Sequence, residues 1–162
     1  MKFSIVSNAL QKMEATSKRL ELTDILVKLI QEIPDDVISK TIYLIQGKLR
    51  PNFEGVELGI AEKLVMKAMS KSSGIPLKNI EQDYNKGGDL GQTAENILQQ
   101  KIQTTFTSET ITLEKVYDTL FKIAKLEGKG SQEMKMRYVS SMLNDATPQE
   151  AKFILKILLG TL

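Results

Sequence analysis

The sequence contains no cysteine, no histidine and no tryptophan. Without cysteine there is neither a disulfide framework nor a thiol nucleophile. Without histidine the usual general base and the commonest metal ligand are missing, so a zinc site is not expected. Aromatic residues make up only 6% of the chain, and the interleaved aromatics of an RNA-recognition sheet are absent. These absences argue against most metal-dependent and nucleophilic enzymes.

Long apolar runs are also absent, and none approaches the roughly 18 residues that a membrane-spanning helix requires. The N-terminus, Met1-Lys2-Phe3-Ser4, has no basic stretch followed by an apolar block, so no secretion signal is predicted. The 162 residues suit one domain with a sizeable core, and 41% apolar with 26% charged residues is ordinary for a globular protein. We therefore expect a cytoplasmic protein.

The charges nearly cancel, with 22 Lys+Arg against 20 Asp+Glu and a net charge of +2. Residues 1–111 carry 14 of each sign, whereas residues 112–162 carry 8 basic and 6 acidic residues. A chain with so little excess charge can bind DNA only if it places its cations on one face.

Apolar residues recur at helical spacing nearly throughout, which predicts an all-α array of about eight to ten helices. In the first helix the stripe is Phe3, Val6, Leu10 and Met13. The start and stop signals are Thr23 for a second helix, Pro34 and Gly47 for a third, and about Glu57 for a fourth. Further helices are predicted at about 76–85, 89–101, 113–127, 132–144 and 148–160.

Two of these later helices carry capping signatures, and one segment has no helical pattern. Asp89 with Gln92, and Thr147 with Pro148 and Glu150, have the spacing of capping boxes. Residues 103–112 are polar and β-branched, which predicts an exposed loop with at most a short strand.

A weak internal repeat aligns residues 35–49 with residues 148–162 at a fixed offset. Gly47 aligns with Gly160, and Leu49 aligns with Leu162. The repeat predicts two related helix-turn-helix units. In the first unit the chain continues into another helix, so we expect the second unit to be truncated at Leu162.

Carboxylate pairs at Asp35-Asp36 and at Glu81 and Asp83 are the only candidates for acid–base chemistry. They lie near helix starts or on polar faces, where capping and solvation explain them better than catalysis. An enzyme that works through paired carboxylates is therefore the weakest of the functional hypotheses.

Glycine-rich turns before or after helices are more informative. Gly128-Lys129-Gly130-Ser131 precedes a helix that carries Lys135, and backbone N–H groups at a helix start attract phosphate. Gly47 is followed by Lys48 and Arg50, and a third such turn covers residues 87–91. Each turn alone is also typical of an ordinary cap, with Ser131 as an N-cap residue. Together they could present amides and cations to a duplex backbone.

A second motif lies in the segment that begins at Gln99. The order Gln99, Ile102, Phe106 is similar to the spacing of peptides that bind sliding clamps, which insert apolar anchors into a pocket. Thr105 stands where an aromatic residue is expected. Local packing of Ile102 and Phe106 at a helix end explains the pattern equally well.

Several stretches together resemble the N-terminal DNA-binding domain of archaeal and eukaryotic ATP-dependent DNA ligases. They occur in family order and cover nearly the whole chain. They are Ile42-Tyr43-Leu44-Ile45-Gln46-Gly47-Lys48-Leu49-Arg50-Pro51 with Glu57-Leu58-Gly59-Ile60-Ala61-Glu62-Lys63, Gly88-Asp89-Leu90-Gly91 with Ala94-Glu95, Gly128-Lys129-Gly130-Ser131-Gln132 with Lys135, and Glu150-Ala151-Lys152-Phe153 with Gly160-Thr161-Leu162. Ser17, Arg19, Leu20, Leu22 and Thr23 fit the archaeal branch.

The resemblance implies that residues 1–162 wrap nicked duplex DNA through minor-groove and backbone contacts, in a ligase that acts in replication, repair and recombination. It implies a following nucleotidyltransferase domain and an OB-fold domain, which would use ATP and Mg²⁺. The ligase motif Lys-x-Asp-Gly is absent from these residues, so no adenylation is expected here. Localisation would be cytoplasmic, at the nucleoid of an archaeal cell.

The expected DNA contacts follow from the glycine turns and the resemblance together. They are Lys48, Arg50, Gly128, Lys129, Gly130, Ser131 and Lys135, with Gly160 and Thr161 on the equivalent surface of the second repeat. The resemblance also implies a sliding clamp as a partner of the segment with Gln99, Ile102 and Phe106. The alternative is a helical protein-interaction scaffold in which the basic turns are merely caps.

Overall fold

The computed structural model describes residues 1–47, 49, 60–101 and 109–162. Their regular structure is helical, which confirms the all-α prediction. The described residues form nine α-helices: α1 (Phe3–Glu14), α2 (Arg19–Glu32), α3 (Ile38–Ile45), α4 (Glu62–Ser73), α5 (Leu77–Gly87), α6 (Leu90–Gln99), α7 (Leu113–Lys125), α8 (Ser131–Asp145) and α9 (Pro148–Leu159). Among them, none is long and apolar enough to cross a membrane.

The predicted caps of α6 and α9 are both present. The carboxylate of Asp89 accepts hydrogen bonds from the backbone N–H groups of Gly91 (2.9 Å) and Gln92 (3.3 Å). Thr147 and Glu150 form a reciprocal capping box at the start of α9. Because these side chains satisfy N–H groups that a helix leaves unpaired, both helix starts were readable from the sequence.

Other predicted boundaries were wrong. Thr23 does not cap a helix, because α2 already begins at Arg19 and the Thr23 hydroxyl donates to the Arg19 carbonyl. Ser131 is the first residue of α8, after the N-cap residue Gly130, and makes no capping bond. The side chain of Gln92 donates to Glu95 and Asn96 rather than completing a capping box. Helical structure does begin after Pro34, but as a 3-10 turn, Asp35–Val37, that leads into α3. Helix α4 begins at Glu62, whereas Glu57, near which a start was predicted, lies outside the described residues.

The predicted exposed loop ends in buried structure. Ile111 is fully buried, and its carbonyl accepts a hydrogen bond from the N–H of Phe3. Lys2 and Thr112 form an isolated antiparallel bridge, and Thr112 then caps α7. Residues 103–108 of the predicted loop lie outside the described part. The polar composition of the segment predicted exposure, whereas Ile111 is buried and bonds to the first residue of α1.

The relative directions of α1, α6 and α9 follow from their side-chain contacts. Gln149 bonds to Asn8 and Lys152 bonds to Gln11, so α9 runs parallel to α1. The Lys156 ammonium lies 3.3 Å from Asp89 at the start of α6, whereas the last turn of α6 faces Thr147–Gln149. Helix α9 therefore runs antiparallel to α6, and eight of its twelve residues are buried.

Candidate nucleic-acid interface

Several helix ends meet at one end of the bundle. The last turns of α1, α3 and α9 line a common groove of about 500 Å³. Its walls include Ile45, two residues before Gly47, and Leu162, two residues after Gly160. The start of α6, which follows Gly88, joins the same end through Asp89. We call the turns at Gly47, Gly88 and Gly160 the glycine-end surface.

Each of these three turns is closed by a glycine in the left-handed region, with φ of 70°, 69° and 69°. At the end of α9, the Gly160 N–H bonds to the Ile157 carbonyl and the Thr161 N–H bonds to the Lys156 carbonyl. A Cβ atom placed on Gly160 would meet no other atom within 4 Å. The glycine therefore supplies the backbone conformation, and the turn is open to a ligand. The internal repeat itself stays a prediction.

Two lysines of α9 hold the glycine-end surface together, and the sequence analysis missed both. Lys152, whose side chain is only 4% exposed, lies 3.2 Å from the Glu14 carboxylate. Lys156, whose side chain is 12% exposed, lies 3.6 Å from Glu14 and 3.3 Å from Asp89. The available signal was their i,i+4 spacing within an otherwise apolar helix, because lysines in such a place need carboxylate partners.

Asp89 carries a shifted pKa that reflects this arrangement. Burial alone would raise the pKa of the Asp89 carboxyl, but the hydrogen bonds from Gln92, Lys156 and Gly91 and the charge of Lys156 outweigh burial. The net effect holds the pKa of Asp89 below its ordinary value of 3.8. The carboxylate is therefore ionised at neutral pH, as an N-cap and an ion-pair partner should be.

Replacing Asp89 with alanine should lower the free energy of unfolding by about 1–2 kcal/mol at neutral pH, because a helix cap and an ion pair are lost. A carboxyl whose pKa is lowered by folding stabilises the protein fully above its unfolded pKa and loses that effect as the pH falls through its folded pKa. In urea unfolding, the stability difference between Asp89→Ala and the parent should therefore shrink as the pH falls through the folded pKa of Asp89.

Asp89→Asn is the matched control, because asparagine also caps helices but carries no charge. It should lose less stability than Asp89→Ala at neutral pH. An Asp89→Ala difference that stayed constant from pH 7 to pH 2 would contradict this role of the ionised carboxylate.

The turn between α7 and α8 forms a second candidate surface, which we call the α7–α8 turn (residues 125–131). Gly128 and Gly130 both have φ of 83°, and neither would bring an added Cβ within 4 Å of another atom. Lys125 and Lys129 are exposed. Lys135 differs, since it is only 9% exposed and its side chain makes an interaction within the protein. The turn thus offers two open glycines and two exposed cations.

Helix α7 connects the two candidate surfaces. The Tyr117 hydroxyl donates a hydrogen bond to the carbonyl of Leu49, the residue between Lys48 and Arg50. One helical turn later Phe121 stacks against Tyr117 at 6.3 Å, and after another turn the Lys125 ammonium lies 4.3 Å from the Phe121 ring. Because these residues are four apart, they follow one face of α7 toward the α7–α8 turn. Lys48 and Arg50 themselves lie outside the described residues.

Of the candidate clamp-binding residues, only Gln99 belongs to the described part of the chain. Gln99 is exposed at the end of α6, beside Thr147–Gln149. This is the opposite end of the α6–α9 pair from Gly160, about 18 Å away along the 12-residue helix α9. Ile102 and Phe106 fall outside the described part of the chain. The described residue of the motif is therefore well separated from the glycine-end surface.

The carboxylate pairs do not assemble a metal centre. Asp35 and Asp36 are exposed in the 3-10 turn, and Asp83 accepts weak hydrogen bonds from Asn96. Within residues 1–47, 49, 60–101 and 109–162, no group of three potential ligands could hold a metal ion. The N–H groups of Gly47, Gly88 and Gly160 already bond to helix carbonyls, so these turns offer close approach rather than free amides. Among the described glycine turns, phosphate recognition by backbone amides and cations fits the α7–α8 turn, which leads into the start of α8.

Comparison with known proteins gives a match across the chain. A family described as DNA ligase N terminus matches residues 2–162. A DNA ligase of Nitrosopumilus maritimus (strain SCM1) is 67% identical, and one of Cenarchaeum symbiosum (strain A) is 60% identical, each over all 162 residues. A DNA ligase of Thermococcus fumicolans is 36% identical over 162 residues. The chain spans 28% of the first two relatives and 29% of the third.

Proposed function

Because the chain belongs to the DNA ligase N-terminus family, we propose that it binds nicked double-stranded DNA without sequence preference, through the minor groove and the phosphate backbone. The observation that carries this proposal is the meeting of three glycine-closed helix ends on one surface. Turns of this kind let a DNA backbone approach closely, since no side chain stands in the way. Such contacts fix position without reading bases.

The proposed contacts are those of the two surfaces. On the glycine-end surface they are Gly160 and Thr161. Lys48 and Arg50, which flank Leu49 in the sequence and lie outside the described residues, remain proposed contacts as well. On the α7–α8 turn they are Gly128, Lys129, Gly130 and Ser131, to which we add Lys125 because it is exposed next to them. We leave Lys135 out, since a lysine that is 9% exposed and already engaged is poorly placed for phosphate.

The parent protein, we infer, is an ATP-dependent DNA ligase that seals nicks in replication, repair and recombination. Its remaining domains would supply nucleotidyl transfer with ATP and Mg²⁺. The described residues of this chain show no cluster suited to a metal, so no chemical step is assigned to them. The protein would act at the nucleoid in the cytoplasm. Contact with a sliding clamp through the Gln99 segment stays a prediction.

Duplex binding can be measured by fluorescence anisotropy on a labelled nicked duplex, with intact duplex and single strand as competitors. We expect both duplexes to bind regardless of sequence, and affinity to fall steeply with salt. The logarithm of the binding constant should fall with the logarithm of the salt concentration, with a slope of about −0.9 for each phosphate contacted. At about 50–100 mM salt the Debye length is about 10 Å or more, so contacts with phosphate are not screened out. Absence of duplex binding under these conditions would reject the proposal.

One observation favours the alternative, a protein-interaction scaffold. The outer face of α2 exposes Leu20 (81%), Val27 (47%) and Ile30 (38%). These residues share one side of the helix, and exposed apolar side chains in a row are typical of protein contacts. A scaffold would bind a partner protein through this face and would not bind duplex DNA, so the same titration separates the two functions.

A further inference from the structure

We propose that Lys156 is a positioning residue that locks the Gly160 turn to the Gly88 turn, so that both meet the duplex as one rigid unit. This inference rests on the proposed function. The juxtaposition that carries it is one ammonium group shared between Asp89 at the start of α6 and Glu14 at the end of α1. Three helix ends are thereby joined at a single atom.

The backbone of the same residue closes the Gly160 turn. The carbonyl of Lys156 accepts the hydrogen bond from the Thr161 N–H at 2.9 Å. The residue thus fixes the turn through its main chain and fixes α9 to its neighbours through its side chain. Loss of the side-chain contacts should therefore loosen the turn, although the carbonyl remains.

Gly91 makes this arrangement possible. An added Cβ on Gly91 would lie 2.7 Å from Cγ of Lys156, so the lysine stem passes directly over the glycine. Only a residue without a side chain allows the stem to run along α6 and reach Asp89. The arrangement therefore depends on three residues together: Asp89 as the N-cap carboxylate, Gly91 as the residue without a side chain, and Lys156 as the lysine that passes over it.

Lys156 is a poor candidate for direct phosphate contact, although it lies one helical turn before Gly160. Its side chain is 12% exposed, and two carboxylates within 3.6 Å already neutralise its charge. Phosphate would have to displace both. A positioning role and a ligand role therefore predict different salt dependence, because only a phosphate ligand contributes to counterion release.

The test uses Lys156→Met, which keeps the unbranched stem over Gly91 and removes the charge. Glu14 and Asp89 are each about 40% exposed, so water can hydrate them and the chain should still fold. We expect nicked-duplex affinity to fall about five- to tenfold at fixed salt, with the slope against salt unchanged. Lys156→Arg should restore most of the affinity. Amide exchange at Thr161 should become several-fold faster in Lys156→Met than in the parent.

Two further variants separate positioning from charge and from general stability. Lys156→Met with Asp24→Asn has the net charge of the parent, because Asp24 is an exposed carboxylate of α2. We expect this double variant to bind as weakly as Lys156→Met. Ile80→Val in α5 lowers stability by about 1 kcal/mol away from this surface and should bind like the parent.

Four results would overturn the inference. They are parent-like binding by Lys156→Met, a slope reduced by about one contact in that variant, full recovery in the charge-matched double variant, or equal weakening by Ile80→Val. If the parent chain bound no duplex, the proposed function would fail instead. The exchange rate at Thr161 would then decide the inference alone, and an unchanged rate in Lys156→Met would reject it.

Discussion

Gly91→Ala is expected to lower the free energy of unfolding by about 2 kcal/mol, even though alanine favours helices more than glycine does. Helices α6 and α9 approach so closely here that the new Cβ would lie 2.9 Å from the Lys152 carbonyl oxygen. The side chain of Lys156 can move, but a backbone carbonyl inside α9 cannot. The two helices must separate, and the close packing between them is lost.

Chemical unfolding, followed by circular dichroism at 222 nm, measures this loss. Gly87→Ala is the matched control, since Gly87 is also helical and an added Cβ there meets nothing within 4 Å. It should be neutral or stabilising by about 0.5 kcal/mol. Gly91→Val should cost more than Gly91→Ala. If Gly91→Ala and Gly87→Ala had the same stability, the close approach of α6 and α9 would be wrong.

Reversing the charge of the two exposed lysines at the α7–α8 turn, Lys125→Glu with Lys129→Glu, should weaken nicked-duplex binding at least tenfold at about 100 mM salt. Two favourable phosphate contacts become repulsive, and the dependence of affinity on salt should become shallower by about two contacts. Lys125 also lies over the Phe121 ring, so the thermal unfolding of the variant must be checked before its affinity is interpreted.

Lys2→Glu with Lys28→Glu is the matched control, because it changes the net charge by the same amount. Both lysines are exposed near the first half of α1, remote from its last residue Glu14. Equal loss of affinity in the two double variants would indicate that only bulk charge matters. The α7–α8 turn would then have no specific part in binding.

Local signals in the sequence were sufficient for much of the secondary structure. Helical periodicity predicted the all-α class, and Asp89 and Thr147 marked the starts of two helices correctly. These predictions succeeded because periodicity and capping depend on residues only three or four positions apart. Thr23 and Ser131 failed as cap predictions for a related reason: a hydroxyl that can cap a helix can equally lie inside it and bond to a preceding carbonyl, as Thr23 does.

The candidate site was only partly readable in the same way. Glycine beside lysine or arginine marked the turns, yet sequence could not say which cations reach solvent. Lys129, in the turn before α8, is exposed, whereas Lys135, in the second turn of α8, is buried. The ion pairs of Lys152 and Lys156 could not be predicted from the sequence, because their shared partner Glu14 is more than 130 positions away and only folding brings it near.

By itself, then, the sequence determined the helices, the glycine turns and the family. Helices and turns depend on residues that are neighbours along the chain, and the family is indicated by the order of several short motifs. Only the tertiary structure decided that the turns at Gly47, Gly88 and Gly160 share one end of the bundle, and that Lys156 pairs with Asp89 beside Gly88 and with Glu14 at the end of α1. Those relations depend on how α9 packs between α1 and α6. That packing is set by burial of apolar surface, which is non-directional and summed over the whole chain, so no local pattern specifies it.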